Sequence, residues 1–452
     1  MSSGCRHKDL HLDPSPFAPE AGYIRPNAAQ RAAAASGEPA KSRRHIKVIT
    51  DGAKRMEHAF PAPLVLPWDD LNLDPECPGQ DMREWLDLDA RNPITAKRKT
   101  LYIVDLPTTD NLPKMDAWSK PTMDRPGSHA EQTSSPAIEV VIEYVQAFFH
   151  GVPVRPFPKK LSFVPWESST KPTAKQKKGK RAPDYKTPKA DLPNYIGLAH
   201  QGTSTRIRVR PCPDSRFPAQ LNLDDILDTA ISIIPKDAFA VLVLIGQDMY
   251  EDEDDDFCCG RAYGGSRVAV VQTARYHPLL EASEKIDYTH TWPNSHCKAY
   301  IDELCAVEGV KAGKKAKVGK EMEMGGALRA AVDAVSAIPS ASVLGTAEAR
   351  SELWFSRLAR TVTHELGHCL GMGHCVYYAC NMQGTANLHE DGRQPPYLCP
   401  VCEAKVSWAV IRYVRERYEA LLRFCEGEKR GGVGMWVGYK AWLGVRLEEI
   451  GS

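Results

Sequence analysis

The stretch HELGHCLGMGHCVYYACNMQG, residues 364–384, decides what kind of fold this chain requires. Just upstream and within it, Phe355, Leu358, Val362, Leu366 and Leu370 recur at steps of three and four, which predicts an amphipathic helix from about Thr346 to Leu370. His364 and His368 then stand one turn apart on one side of that helix, so two imidazole nitrogens reach one ion at about 2 Å. Glu365, beside the first histidine, is placed to touch a water on that ion without ligating the ion itself. Gly371 is free to take the left-handed conformation that stops a helix, and the turn it permits swings His374 back as a third ligand. Three neutral imidazoles leave one position of a tetrahedral zinc ion open, which distinguishes a catalytic site from a closed one. The chemistry expected is peptide-bond hydrolysis by a zinc-bound water: the ion polarises the carbonyl and acidifies the water, while Glu365 takes the proton and hands it to the leaving amine. A chain of this length and composition shows H-E-x-x-H by accident about once in a hundred, and the added Gly371 and His374 lower that by a further factor of about a thousand.

A second cluster follows at once. Cys375 is next to the third histidine, Cys380 lies a short loop beyond, and CPVC supplies Cys399 and Cys402. A loop clip joined to C-x-x-C reads as a four-cysteine zinc site, and four thiolates fill the tetrahedron, so this ion is structural. It ties the loop after the helix to the start of the last helix and fixes His374. The count expected is therefore two zinc ions per chain, one catalytic and one structural. Cys375 as a ligand of the first ion is the weaker reading, because a softer, more anionic shell makes bound water less acidic and the CPVC pair is left unpartnered. Cys369 faces away from the two helical histidines and is expected in the core, as are Cys258 and Cys259. Met382 reads either as core filler or as an apolar floor under the three histidines, with its position favouring the floor. His389 has no helical partner and reads as surface or as an outer neighbour of the site.

The rest of the 452 residues narrows the class. The 58 basic and 57 acidic side chains nearly cancel, so no overall field favours nucleic acid or an anionic membrane. The start, MSSGCRHKDLHLDPSP, lacks the apolar stretch of a secretion signal, and the longest strongly apolar run, AFAVLVLIG at 238–246, is far short of the roughly 18 residues of a membrane span. A soluble, intracellular protein is expected, cytoplasmic, with a nuclear address as one reading of Lys175 to Arg181 and a solvated loop as the favoured one. Its cysteines then read as thiols or metal ligands rather than disulfides.

Residues 1–45 lack apolar periodicity and are expected to be a disordered tail; 46–135 read as a partly ordered extension and linker carrying Trp68, Trp85, Leu86, Leu101 and Ile103. A helix is predicted within 136–154, strands over RIRVRP and AFAVLVLIGQDMY, and a helix over LNLDDILDTAISII, a rhythm that indicates a mixed sheet with helical cover. Lysine-rich loops interrupt this at about 168–190 and 308–323; the acidic run EDEDDD at 251–256 reads as a solvated turn, lacking the spaced pattern of a calcium loop. A terminal helix is expected from about Glu403 to Phe424, and 427–452 as a tail.

HELGHCLGMGH followed by the methionine of ACNMQG resembles the metzincin zinc peptidases, and the cysteines at 375, 380, 399 and 402 are similar to the pattern of archaemetzincins. The resemblance covers about 136–426. It implies an α+β metzincin-like fold with a mixed twisted sheet, an active-site helix and a small C-terminal subdomain. It also implies catalytic zinc on His364, His368 and His374, Glu365 as base, Met382 as the turn methionine, and structural zinc on the four cysteines. FCCGRAYGGSRVAVVQTARYH is similar to the family's edge strand, which would leave backbone from Arg267 to Thr273 to pair with an extended peptide or unfolded segment. No secure counterpart exists of the tyrosine that some metzincins place near the oxyanion; Tyr397 is a spatial guess. The alternative to an enzyme is a noncatalytic zinc protein that binds a partner through the four-cysteine module and the basic loops. Glu365 argues against it, since a binding module has no use for that carboxylate.

Overall fold

Segments of three to eight residues, the central ones continuous apolar runs, form the strands, ten among the described residues. In chain order they are β1 Thr100–Val104, β2 Val154–Pro156, β3 Ser162–Pro165, β4 Tyr195–His200, β5 Thr203–Arg210, β6 Gln220–Asn222, β7 Ala238–Ile245, β8 Asp248–Tyr250, β9 Gly260–Tyr263 and β10 Val268–Gln272. This computed structural model describes residues 5, 7–37, 56–122, 133–166, 192–309, 325–338, 346–410 and 414–451. The lysine-rich stretch at 168–190 lies outside them, as does nearly all of that at 308–323.

One sheet has the order β2-β1-β7-β10-β9, parallel throughout except for β9, which runs antiparallel to β10. Every residue of β7 is buried, as a central parallel strand requires. From Ala240 on its side chains divide by parity: Ala240, Leu242 and Leu244 join the larger core, and Val241, Val243 and Ile245 join a second. The larger core holds the helices Ile138–Phe148 and Ala347–Cys369. The second lies under helix Leu223–Ser232 and the other sheet, ordered β3-β4-β5-β6-β8. The mixed α/β architecture with sheets is thus as expected. The AFAVLVLIGQDMY run breaks after Ile245, and its last residues cross to the second sheet as β8.

Both ends differ from expectation. Residues 28–36, placed in a disordered tail, form a helix with a complete capping box between Asn27 and Gln30. Tyr23 Oη donates to Val376 O at 2.7 Å, and Ala379 N donates to Pro61 O at 2.9 Å, so Tyr23 and Pro61 grip the loop between Cys375 and Cys380. Residues 434–451, expected as tail, form a helix whose Trp436, Tyr439, Trp442 and Leu443 are fully buried. Trp436 stacks on Phe355 of the long helix, and Trp442 Nε1 donates to Ala59 O. Their burial removes several hundred Å² of apolar surface from water, worth on the order of 10 kcal/mol before entropy is charged against it. The terminal helix expected from about 403 to 424 is instead described as two, Pro400–Ala409 and Val414–Cys425. The run at 251–256 is a turn closed by Arg210, whose guanidinium donates to the carbonyls of Asp252 and Glu253.

Candidate metal centre and cleft

Helix Ala347–Cys369 opens on Thr346, whose side chain accepts from Ala349 N, and closes at Gly371, which sits at φ +81. Its apolar stripe is buried: Phe355, Leu358, Val362 and Leu366 are 1 % exposed or less. The left-handed turn at Gly371 returns the chain so that one ligand nitrogen from each of His364, His368 and His374 lies within 4.8 Å of the others. His364 Nδ1 faces Asn381 O at 2.7 Å and His368 Nδ1 faces Met372 O at 2.7 Å. Each carbonyl can only accept, so both Nδ1 atoms carry the hydrogen and both Nε2 atoms present lone pairs. Those two Nε2 atoms are 3.0 Å apart. Two lone pairs aimed at one another at that distance repel unless a cation or a proton lies between them. About 3.3 Å is the separation of two nitrogens on one tetrahedral zinc, so the donor set fits that ion. Burial holds the His368 imidazolium down, to about 4, with the neighbouring imidazole of His374 adding to it.

Glu365 lies on the same helix face, and its burial pushes the carboxyl up to about 8, with the Arg261 guanidinium pulling it partly back. Gly260 on β9 stands opposite: a β-carbon there would approach Glu365 Oε1 to 3.1 Å. The histidines and Glu365 lie along a cleft of about 950 Å³, whose other wall is Gly260 to Gly265 on one side and Asp70, Gly79 and Gln80 on the other. Cys258 and Cys259 also line it; half-buried, they pack against the two cores from the cleft wall. Cys369 is fully buried, as expected. Met382 is fully buried with its sulfur against Gly367, leaving no room for a β-carbon there. His389 is exposed.

Two placements correct the sequence reading. Val268–Gln272 is paired on both sides, with β7 and β9, so the backbone from Arg267 to Thr273 is not the open edge. Among the described strands of that sheet the edge on this side is β9, four residues earlier in the chain and inside the cleft, with β2 at the far edge. Tyr397 does not face the cleft; it is buried and stacked on Trp442, ring centroids 4.5 Å apart.

The sulfurs of Cys375, Cys380, Cys399 and Cys402 lie within 4.8 Å of one another, all four residues at most 3 % exposed and none in a disulfide. Cys375 and Cys399 are 3.5 Å apart, near the about 3.8 Å edge of a zinc–thiolate tetrahedron. Hydrogen bonds from the other thiols pull Cys375 down, while burial pushes Cys380 and Cys399 up. Four buried sulfurs in this arrangement fit a divalent cation, which would stabilise them as thiolates.

Sequence reasoning missed the contribution of residues 69–80. Asp70 Oδ2 and His374 Nδ1 each lie close to Gly384, where a β-carbon would collide with both, and the carboxylate acts on the ring through its charge. Gln80 brackets the turn before His374, donating from Nε2 to Gly371 O and accepting from Gly373 N, each at 3.0 Å. Trp85 Nε1 donates to Leu370 O at the end of the long helix. These partners are about 290 residues away in the chain, and no local pattern announces them.

With this geometry in hand, the class of the segment is plain: residues 332–407, spanning both clusters, match the model of Peptidase family M54. That is a zinc-dependent metallopeptidase family. The chain is 45% identical over 78 residues to archaemetzincin-2 of Macaca fascicularis, which is 17% of this chain and 22% of that protein. It is 29% identical over 238 residues to human archaemetzincin-1, 53% of this chain and 39% of that one. The archaemetzincin resemblance is borne out over the matched segment, while the alignments span only 22% and 39% of these relatives' length. The crystal structure of an archaemetzincin from Methanopyrus kandleri superposes with a TM-score of 0.31 at 16% identity, over 70% of this chain and 96% of that one.

Proposed function

We propose that this protein is a zinc-dependent peptidase, with zinc held by His364, His368 and His374 and a structural zinc held by Cys375, Cys380, Cys399 and Cys402. The observation that carries the reading is the pair of Nε2 lone pairs held 3.0 Å apart beside Glu365 in a cleft. Bound there, zinc supplies Lewis acidity toward a peptide carbonyl and toward water. The remaining work falls to the chain. Glu365 takes a proton from the attacking water and delivers it to the departing amide nitrogen. Carbonyls of Asn381 and Met372 hold the imidazoles in the ligating tautomer. The edge of β9 offers backbone to an extended peptide, which fixes the scissile bond over Glu365. The metzincin-like arrangement follows: a sheet with β9 above the cleft, the long helix at its floor, and the cysteine-bound residues below it. The catalytic unit proposed for 136–426 draws its cleft wall from 69–80 and its packing from 434–451. Its substrates are peptides or unfolded segments of protein. Among the described residues no helix is long and apolar enough to cross a membrane.

Cleavage of a diverse peptide library, read by mass spectrometry, tests this directly. Wild type is expected to cut and to lose activity with chelation, and Glu365→Gln is expected to retain zinc and lose activity by about 10²–10⁴-fold. Zinc-loaded wild type that cuts nothing in the library would favour the noncatalytic partner-binding reading.

A further inference from the structure

A third group of metal-ligand side chains lies far from the cleft, where the start of the chain meets the segment before helix Lys298–Val307. Cys5, His7, His290 and Cys297 each offer a ligand atom within 4.8 Å of all the others. The Cys5 and Cys297 sulfurs are 3.3 Å apart, and both are free thiols. That is well beyond the about 2.05 Å of a disulfide and close to the about 3.8 Å expected of two thiolates on one zinc. Both imidazoles carry a buried Nε2 with no hydrogen-bond partner, a costly condition for a polar atom unless something absent from the protein chain engages it. Their rings meet edge to face with centroids 5.3 Å apart.

The surroundings orient these rings as metal sites do. His290 Nδ1 is 2.6 Å from Asp287 Oδ2, the carboxylate–imidazole pairing that leaves the other nitrogen for a metal. The ring is also stacked on Tyr300 at 4.2 Å with its plane only 9° away. The Cys5 sulfur and the His290 ligand nitrogen lie within 4.8 Å of one another. His7 has φ +43, a left-handed backbone that a β-carbon disfavours, and its carbonyl is held by Arg329 Nη1 at 2.8 Å. Cys5 and His7 at one end of the chain, and His290 and Cys297 at the other side of the site, supply two sulfurs and two nitrogens.

We propose that Cys5, His7, His290 and Cys297 form a closed zinc site of two thiolates and two imidazoles, a third zinc per chain independent of the two described above. Binding releases two thiol protons, and the two thiolates balance the dication, so the site is neutral and has no open position for chemistry. Its consequence is mechanical. The segment that follows runs as a strap: Leu10 bridges Cys297, His11 N donates to His296 O, Ala62 N donates to Leu12 O and Ser15 Oγ donates to Val65 O. The stretch it pairs with, 62–65, leads on to Asp70 at the cleft wall. A clip at the start of the strap therefore holds in place the segment that supports that wall.

The test is metal content of the full chain together with peptide-resolved thiol alkylation under reducing conditions. Wild type is expected to bind three zinc ions, and Cys5→Ser and His7→Ala are each expected to bind one fewer. Because a variant could lose zinc through misfolding, wild type is also labelled with N-ethylmaleimide with and without zinc. Cys5 and Cys297 are expected to be protected together by zinc and exposed together by chelator, with Cys212 as the unligated control. Equal labelling of Cys5 and Cys297 with and without zinc, unchanged zinc content in both variants, or a Cys5–Cys297 disulfide that persists under reductant would each overturn the proposal.

Discussion

The His364/His368/His374 cluster and the Cys375/Cys380/Cys399/Cys402 cluster come from one passage of chain and share a residue boundary at 374–375, yet they sit in opposite surroundings. The imidazoles line a cleft of about 950 Å³, and their nitrogens are positioned by backbone carbonyls and by side chains from distant parts of the chain. The sulfurs are packed inside the larger core, at most 3 % exposed, with Cys399 N donating to Cys380 Sγ and Met382 N to the same sulfur. An ion in the first place is exposed to reactants and easily exchanged. An ion in the second is part of the fold. The difference teaches that ligand chemistry alone does not assign a metal's role: burial and the number of remaining coordination positions do.

The largest effect is expected from breaking the closed member. Cys399→Ser is expected to lose the structural ion and on the order of 5 kcal/mol or more of stability, because metal binding at such a site is folding free energy. The matching change at the open member, His374→Ala, is expected to lose zinc and peptide cleavage while moving the melting midpoint by no more than about 3 °C. Zinc content and thermal melts of the two variants decide it, and equal melting losses would erase the distinction drawn between the clusters.

Next comes the scaffold behind the open cluster. Arg360, 3 % exposed on the long helix, pairs with Asp391 at 3.2 Å and donates to Gln394 O at 2.9 Å. Gln394 Nε2 in turn donates to Asn381 O, the carbonyl that orients His364. Arg360→Met strands the buried Asp391 carboxylate and is expected to cost about 3–5 kcal/mol, measured by denaturant unfolding. Removing both partners, as Arg360→Met with Asp391→Leu, is expected to recover much of it, since no buried charge is then left alone.

A smaller, more selective effect is expected at Asp70. Its carboxylate and His374 Nδ1 both lie against Gly384, and its negative charge favours positive charge at that ring, so it acts on the open cluster through charge. Asp70→Asn is expected to weaken zinc binding at the open cluster about 10–100-fold with little change in melting, measured by competition with a chromogenic chelator. An equal loss at the cysteine cluster would mean that Asp70 acts on the fold as a whole.

The contrast between the clusters also shows what was legible beforehand. The helix from Thr346, its stop at Gly371 and the convergence of three imidazoles were readable because every determinant lies within one helix and one turn, where spacing maps onto geometry. The four cysteines were readable for a different reason: a loop clip followed by C-x-x-C is itself a metal-ligand spacing, whatever the chain between the two pairs does. Asp70, Gln80 and Trp85 were not, because their roles depend on tertiary return of a segment about 290 residues away. The helix at 28–36 was signalled by Asn27 and Gln30, a capping box that the alanine-rich, polar composition around it obscured. Trp436, Tyr439 and Trp442 were passed over because glycines interrupt them and their apolar positions spread around the helix rather than along one stripe. The edge strand was misplaced by one strand: an apolar run such as VAVVQ is the inner strand, and the edge is the more polar GRAY before it, since only a doubly paired strand can bury both faces and both sides.

Gln80 offers the finest test of how the open cluster is held. It is half-buried, and its amide satisfies Gly371 O and Gly373 N while Lys405 Nζ reaches both its Oε1, at 2.9 Å, and its backbone carbonyl, at 2.6 Å. Gln80→Ala removes the side-chain bonds but keeps the backbone carbonyl for Lys405, and water can reach part of what is freed. The expected cost is about 1 kcal/mol of stability. The turn at 371–373 carries His374 but neither helical histidine, so the loss should appear as faster zinc exchange at the open cluster while the cysteine-bound ion exchanges as in wild type. Measured with an isotopically labelled zinc chase, equal acceleration at both clusters would show that Gln80 braces the core rather than the turn.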